Sequence, residues 1–146
     1  MSTVLANTIT AVGGGGSTLK MANDATYVSD GGGVTQNTVQ GLCKSWVSKV
    51  TDGSEMKDSF NVSSMADTAT GIFTIVFTNN HNNDDYALSS AVVPVDNTTV
   101  ITTCEINRQA DLVTSGYRGE TCYVNSSNNR TDSDNAACVA THGDLA

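Results

Sequence analysis

Residues 41–78 read GLCKSWVSKVTDGSEMKDSFNVSSMADTATGIFTIVFT, and this stretch decides the fold class. It holds the one tryptophan, Trp46, and all three phenylalanines, Phe60, Phe73 and Phe77. Over residues 55–63 apolar and polar side chains alternate, with Met56, Phe60 and Val62 on one side and Glu55, Lys57, Ser59 and Asn61 on the other. Asp58 is the exception on the apolar side. Such alternation marks a half-buried strand, because successive side chains point to opposite faces of a sheet. Residues 72–78 are apolar on both sides and predict a central strand. Residues 43–50 predict a third, with Asp52-Gly53 as the turn that follows. Trp46, Met56, Phe60, Phe73, Ile75 and Phe77 are the expected core.

Downstream, residues 64–71 form a polar connection closed by Gly71. Residues 79–85, NNHNNDD, form a loop, since short amide and acid side chains bond to nearby backbone and favour turns. Residues 86–93 predict a strand ended by Pro94, which lacks a ladder donor. Residues 97–107 predict another, with Val100, Cys104 and Ile106 on one face. A turn at Tyr117-Arg118-Gly119, a short strand over 120–124, a polar loop over 126–135 and a last strand over 136–141 complete the pattern. About seven strands after residue 40, spaced in this way, predict an all-β protein. The expected body, residues 41–146, is an antiparallel β-sandwich, jelly-roll- or Ig-like.

Residues 1–40 differ in kind. Glycine runs at 13–16 and 31–33 break the pattern, and Tyr27 is the one aromatic. A segment this poor in apolar side chains cannot offset the roughly 1–2 kcal/mol that ordering each residue costs. Two readings stay open, a flexible tail or linker and an extended Gly-rich N-terminal arm that orders against neighbouring subunits, and the second is the expectation. Val4, Leu5, Ile9 and Leu19 are then the interface residues, since their own segment gives them nothing to pack on. GGGGST lacks the G-K-[ST] ending of a phosphate loop.

The formal charge of −8, from 15 acidic and 7 basic residues, argues against a phosphate-backbone partner or an anionic membrane surface. Neither a basic region followed by an apolar run at the start nor a membrane-length apolar stretch is present, so no secretory signal and no membrane helix are expected. Cys43, Cys104, Cys122 and Cys138 form no C-x-x-C pair, which argues against a zinc knuckle or a redox dithiol. Buried thiols and disulfides both stay open. His81 and His142 are expected to be solvated. No nucleophile elbow or Ser-His-acid set is evident. Asp84-Asp85 and Asp132, Asp134 and Asn135 offer hard oxygen donors, but neither group fits the twelve-residue calcium loop. The expectation is a protein that is not an enzyme, with no cofactor and no metal.

Three segments carry a resemblance. They are MSTVLANTI at residues 1–9, VTQNTVQGLCKSWV at 34–47, and DSFNVSS at 58–64 continued by Asp67, Gly71 and TIVFT at 74–78. With a strand at 86–88, they resemble a module of marine and freshwater bacteriophage structural proteins, described as tail-fibre-like or as virion components. The resemblance is specific over about residues 34–90, and the chain departs from it at Cys43, over 47–53 and over 136–140. It implies a virion protein assembled in the host cytoplasm, a homotrimer, partnered by the major capsid protein or another virion structural protein. Two roles follow from it. One is a capsid decoration or cement protein bridging capsid subunits, which the absence of a coiled coil or long shaft favours. The other is a tail or head fibre piece whose exposed loops bind a host surface receptor such as a glycan.

Deleting residues 1–33 is expected to leave a folded body that no longer incorporates into particles. Co-sedimentation of the truncated chain with virions checks this, and unchanged incorporation would remove the arm from the interface.

Overall fold

The computed structural model describes residues 26–28, 35–51, 54–94, 101–106 and 111–143. The chain divides into two units, Met1–Val39 and Gln40–Ala146, one residue from the boundary expected between arm and body. In the first unit β1 (Thr26–Val28) and β2 (Thr35–Asn37) pair antiparallel, with Tyr27 opposite Gln36. Val4, Leu5, Ile9 and Leu19 lie outside the described residues. A single helical turn, α1 (Thr38–Gly41), leads into the strands that follow.

The second unit is a two-sheet antiparallel β-sandwich. Its strands are β3 (Cys43–Lys49), β4 (Met56–Phe60), β5 (Val62–Ala69), β6 (Ile72–Phe77), β7 (Ala87–Val93), β8 (Ile101–Glu105), β9 (Leu112–Val113), β10 (Gly116–Val124), β11 (Arg130–Asp132) and β12 (Ala136–His142). One sheet has the order β4-β3-β12-β7. The other is built on β10, whose one side takes β6 and then β11 and whose other side takes β9 and then β8; β5 adds beyond β6.

The core follows from alternation on the two inner faces. Phe73, Ile75 and Phe77 of β6 face Val47 of β3 and Ala137 and Val139 of β12, joined by Tyr86 and Tyr117. Phe73 sits directly across from Gly119 on β10. A side chain at Gly119 would lie 2.5 Å from the Phe73 ring, so the ring takes the space a Cβ would need. Gly71, at φ 73°, makes the β5–β6 turn, and Thr121 N–H donates to its carbonyl at 2.7 Å. Left-handed backbone of this kind suits glycine.

Several expectations are corrected. Trp46 and Phe60 are not core: they stand on the outer face, 37% and 55% exposed. On β3 the inward positions belong to Ser45, Val47 and Lys49, all nearly inaccessible. Lys49 goes inside because its ammonium donates to the carbonyls of Asn135, Val50 and Thr51 and lies 5.0 Å from the centroid of Phe73. A buried ammonium is tolerable when so partnered. Met56 is only partly buried, packed against the core edge.

The single strand expected over 55–63 breaks at Asn61, whose φ of 56° turns the chain from one sheet into the other. Asn61 accepts from Asn79 N–H at 2.7 Å and donates to the carbonyls of Lys44 and Asn79, both at 3.0 Å. Phe60 thus ends outside one sheet while Val62 starts inside the other. Residues 64–71, expected as a connection, are mostly β5, and the turn expected at Tyr117-Arg118-Gly119 is the middle of β10. Arg118 and Gly119 hide that strand because alternation is satisfied there by a salt-bridged side chain and an aromatic ring from the neighbouring strand.

Phe73→Ala is expected to lower stability by about 3–5 kcal/mol, whereas Trp46→Ala lowers it by no more than about 1 kcal/mol. Urea unfolding of both variants checks the contrast, and equal losses would place Trp46 back in the core.

Candidate functional site

The most distinctive surface is the outer face of the four-stranded sheet. Strand register sets its rows. Phe60, Trp46, Ala140 and Ser89 form one, and Asp58, Ser48, Cys138 and Ala91 the next. Ala136 and Val93 pair in a third. Ser, Ala and Cys at these positions keep the centre low, while the Trp46 ring rises beside it. The result is an open depression of about 420 Å³ over Ser48, Ser89, Ala91, Cys138 and Ala140. Asp58, on the outer strand, is the one charged residue in these rows. Trp46 and Phe60 are cross-strand partners in register, and both remain accessible. Val93 adds 59% exposure at the far edge. Apart from Asp58 the rows are uncharged, and among the described residues the patch is the largest run of exposed apolar side chains.

The outer face of the six-stranded sheet is the opposite in character. Glu120, 2% exposed, sits between Arg118 at 3.3 Å and Arg130. Arg118 also reaches Asp111 at 3.4 Å, and Arg130 reaches Asp132 at 3.1 Å. The hydrogen bond that Arg130 donates to the Glu120 carboxylate holds Arg130 charged well above its ordinary range. Both arginines are thereby committed to neighbouring carboxylates. This chain of ion pairs fastens β11 to β10 and gives the face no surplus positive charge for a phosphate.

His81, expected in solvent, is 1% exposed. Its ring stacks on Tyr86 at 4.2 Å and 16°, and Phe77 meets it edge-on at 5.0 Å. Nε2 lies 3.1 Å from Thr141 Oγ1, which in turn lies 2.6 Å from Ser45 Oγ. A hydroxyl beside an imidazole resembles part of a hydrolase site, but Ser45 and Thr141 are as deeply buried as His81, so no substrate reaches them. The group is a rivet. The backbone N–H of His81 also donates to Thr114 O at 2.9 Å, so the loop carrying exposed Asn82, Asn83, Asp84 and Asp85 stands on a fixed base. His142, also expected in solvent, is half-buried at the end of β12.

All four cysteines are thiols: Cys122 is buried, Cys43 and Cys104 half-buried, and Cys138 exposed. Asp132 and Asp134 are tied to Arg130 and to the Gly71 N–H respectively, not gathered toward a common point. Among the described residues no three His, Cys, Asp or Glu side chains converge as a metal site. The sequence signal for the outer face was the run Ala136-Ala137-Cys138-Val139-Ala140, whose small even-numbered residues leave Trp46 uncovered. Comparison with known proteins finds no matching family model, no similar curated protein and no similar solved structure.

Burial pushes the Tyr86 phenol up to about 12, with the Val113 carbonyl opposing and the Asp84 charge adding to the shift. Burial raises Tyr117 well above its ordinary value too, reinforced by Cys104 and Tyr86. In the unfolded chain both ionise near pH 10. The fold therefore favours the neutral phenols, and their contribution is complete below about pH 10 and lost as pH rises through the raised folded-state values, about 12 for Tyr86. Alkaline titration is expected to show tyrosinate absorbance from Tyr86 and Tyr117 appearing together with unfolding. Early ionisation of all four tyrosines in the folded protein would contradict their burial.

Proposed function

We propose that this chain is a virion structural protein of a bacteriophage, a decoration or cement protein that docks on the head through the outer face of its four-stranded sheet. The observation that carries the reading is the exposed Trp46–Phe60 pair on a sheet face whose rows hold a single charge, Asp58. Both residues fall in the segments on which the phage resemblance rests, VTQNTVQGLCKSWV and DSFNVSS. Aromatic side chains of this kind anchor protein interfaces when buried in a partner's pocket.

Covering what remains exposed of the two rings contributes on the order of 5 kcal/mol, which the roughly 4–15 kcal/mol cost of association offsets for a single copy. A homotrimer presenting three such faces to neighbouring capsid subunits would gain by avidity. The net charge of −8 keeps unassembled copies apart in solution. A second reading, a fibre piece that binds a host glycan, is favoured by the fixed base under the exposed loop after β6.

Trp46→Asp and Phe60→Asp are expected to fold normally and to reduce binding to stripped particles at least tenfold. Parental binding by both variants would take the sheet face out of the reading. The copy number in purified virions separates the two roles, since decoration needs copies on the scale of the capsid lattice and a fibre only on the scale of its vertices.

A further inference from the structure

We infer that the gap between the two sheets at their β7–β8 edge is a binding site for a small, uncharged, apolar molecule. A cavity of about 360 Å³ lies there, walled by Leu88 of β7, Val139 of β12, Cys104 of β8, Leu112 of β9, Tyr117 of β10 and the neighbouring Ile106. Both sheets contribute, and Gly119 of β10 is part of the lining beside Tyr117. The volume lies at the lower end of the range of about 300–1,000 Å³ typical of small-molecule sites.

The chemistry of the walls selects the ligand. Among the described residues no charged side chain lines the cavity. The Tyr86 hydroxyl is turned to the carbonyls of Gly116 and Val113, so the polar tip of this wall residue is already engaged. A water molecule in such a space needs two to four polar partners, and beyond the Tyr117 and Ser90 hydroxyls the walls are aliphatic, thiol and aromatic. An apolar molecule fills it at no such cost. At the rim the Ser90 hydroxyl donates to the Cys104 carbonyl at 2.9 Å, linking the two sheet edges. That link bars a polypeptide strand from lying along the gap, which leaves a compact molecule as the occupant, an aromatic bicycle or a short alkyl chain.

Two thiols make the test internal. Cys104 lines the cavity and Cys138 lies on the opposite, outer face of the four-stranded sheet. In the full chain, 1-octanol is expected to slow alkylation of Cys104 by iodoacetamide at least fivefold and to leave Cys138 unchanged, read by peptide mass spectrometry. N-phenyl-1-naphthylamine is expected to bind saturably at one molecule per chain, to be displaced by 1-octanol, to lose at least tenfold in affinity in Leu112→Trp and to bind normally to Trp46→Ser. Equal protection of both thiols, no protection, or loss of the probe in Trp46→Ser would overturn the proposal. So would normal probe binding by a folded Leu112→Trp variant. If that variant does not fold, the thiol measurement on the parent chain decides alone.

Discussion

Phe73 has a glycine under it and a lysine over it, and the body is assembled around that stack. Gly119 on the adjacent strand gives the ring its floor, Lys49 arrives from the opposite sheet at 5.0 Å, and Tyr117 closes one side edge-on at 6.3 Å. The position of the ring fixes the β6–β10 register, and β10 then carries β8, β9 and β11. The approach of Lys49 fixes how β3 faces β6, and hence which side of β3 becomes surface. Trp46 is outside because Lys49, three residues on along the same strand, is inside. A cation and an aromatic ring meeting out of water attract more strongly than at a surface, which compensates the desolvation of the ammonium.

The outer faces divide the chemistry between them. The six-stranded sheet carries its charges in closed pairs around Glu120, and the four-stranded sheet carries almost none. Closed ion pairs make a poor adhesive, since a partner would have to desolvate or break them. An uncharged face costs little to dehydrate. The asymmetry points contact toward the Trp46 side and leaves the Glu120 side to water.

Alternation in residues 41–78 made the sandwich legible, and Phe73, Ile75 and Phe77 were readable as core because β6 is apolar on both faces and the inward set is aromatic. Trp46 and Phe60 misled for a definite reason. Hydrophobicity alone ranks Trp46 above Ser45 and Lys49 for burial, yet Ser45 is held by Thr141 and Lys49 by carbonyls distant in sequence or supplied by a turn. Partners separated by some ninety residues leave no mark on a local pattern. The corner at Asn61 was hidden likewise, because an asparagine in left-handed backbone looks like any polar strand residue until its bonds to Asn79 and Lys44 are seen. The outer face was not legible: residues 136–141 read as a strand, but the register of β12 against Trp46 was not deducible.

β12 lies between β3 and β7, although it comes last among the strands and β3 comes first in the body. The four-stranded sheet therefore has no middle until residues 136–142 have been made. Until then β3 has a partner in this sheet on one side only, β4, and β7 has none, while nearly a hundred residues follow β3. Pairings of such long range form slowly. The six-stranded sheet, whose strands come between them, can form first and hold Phe73 ready. The chain thus has a built-in order of completion, in which the Trp46 face exists only after its last strand has paired between β3 and β7.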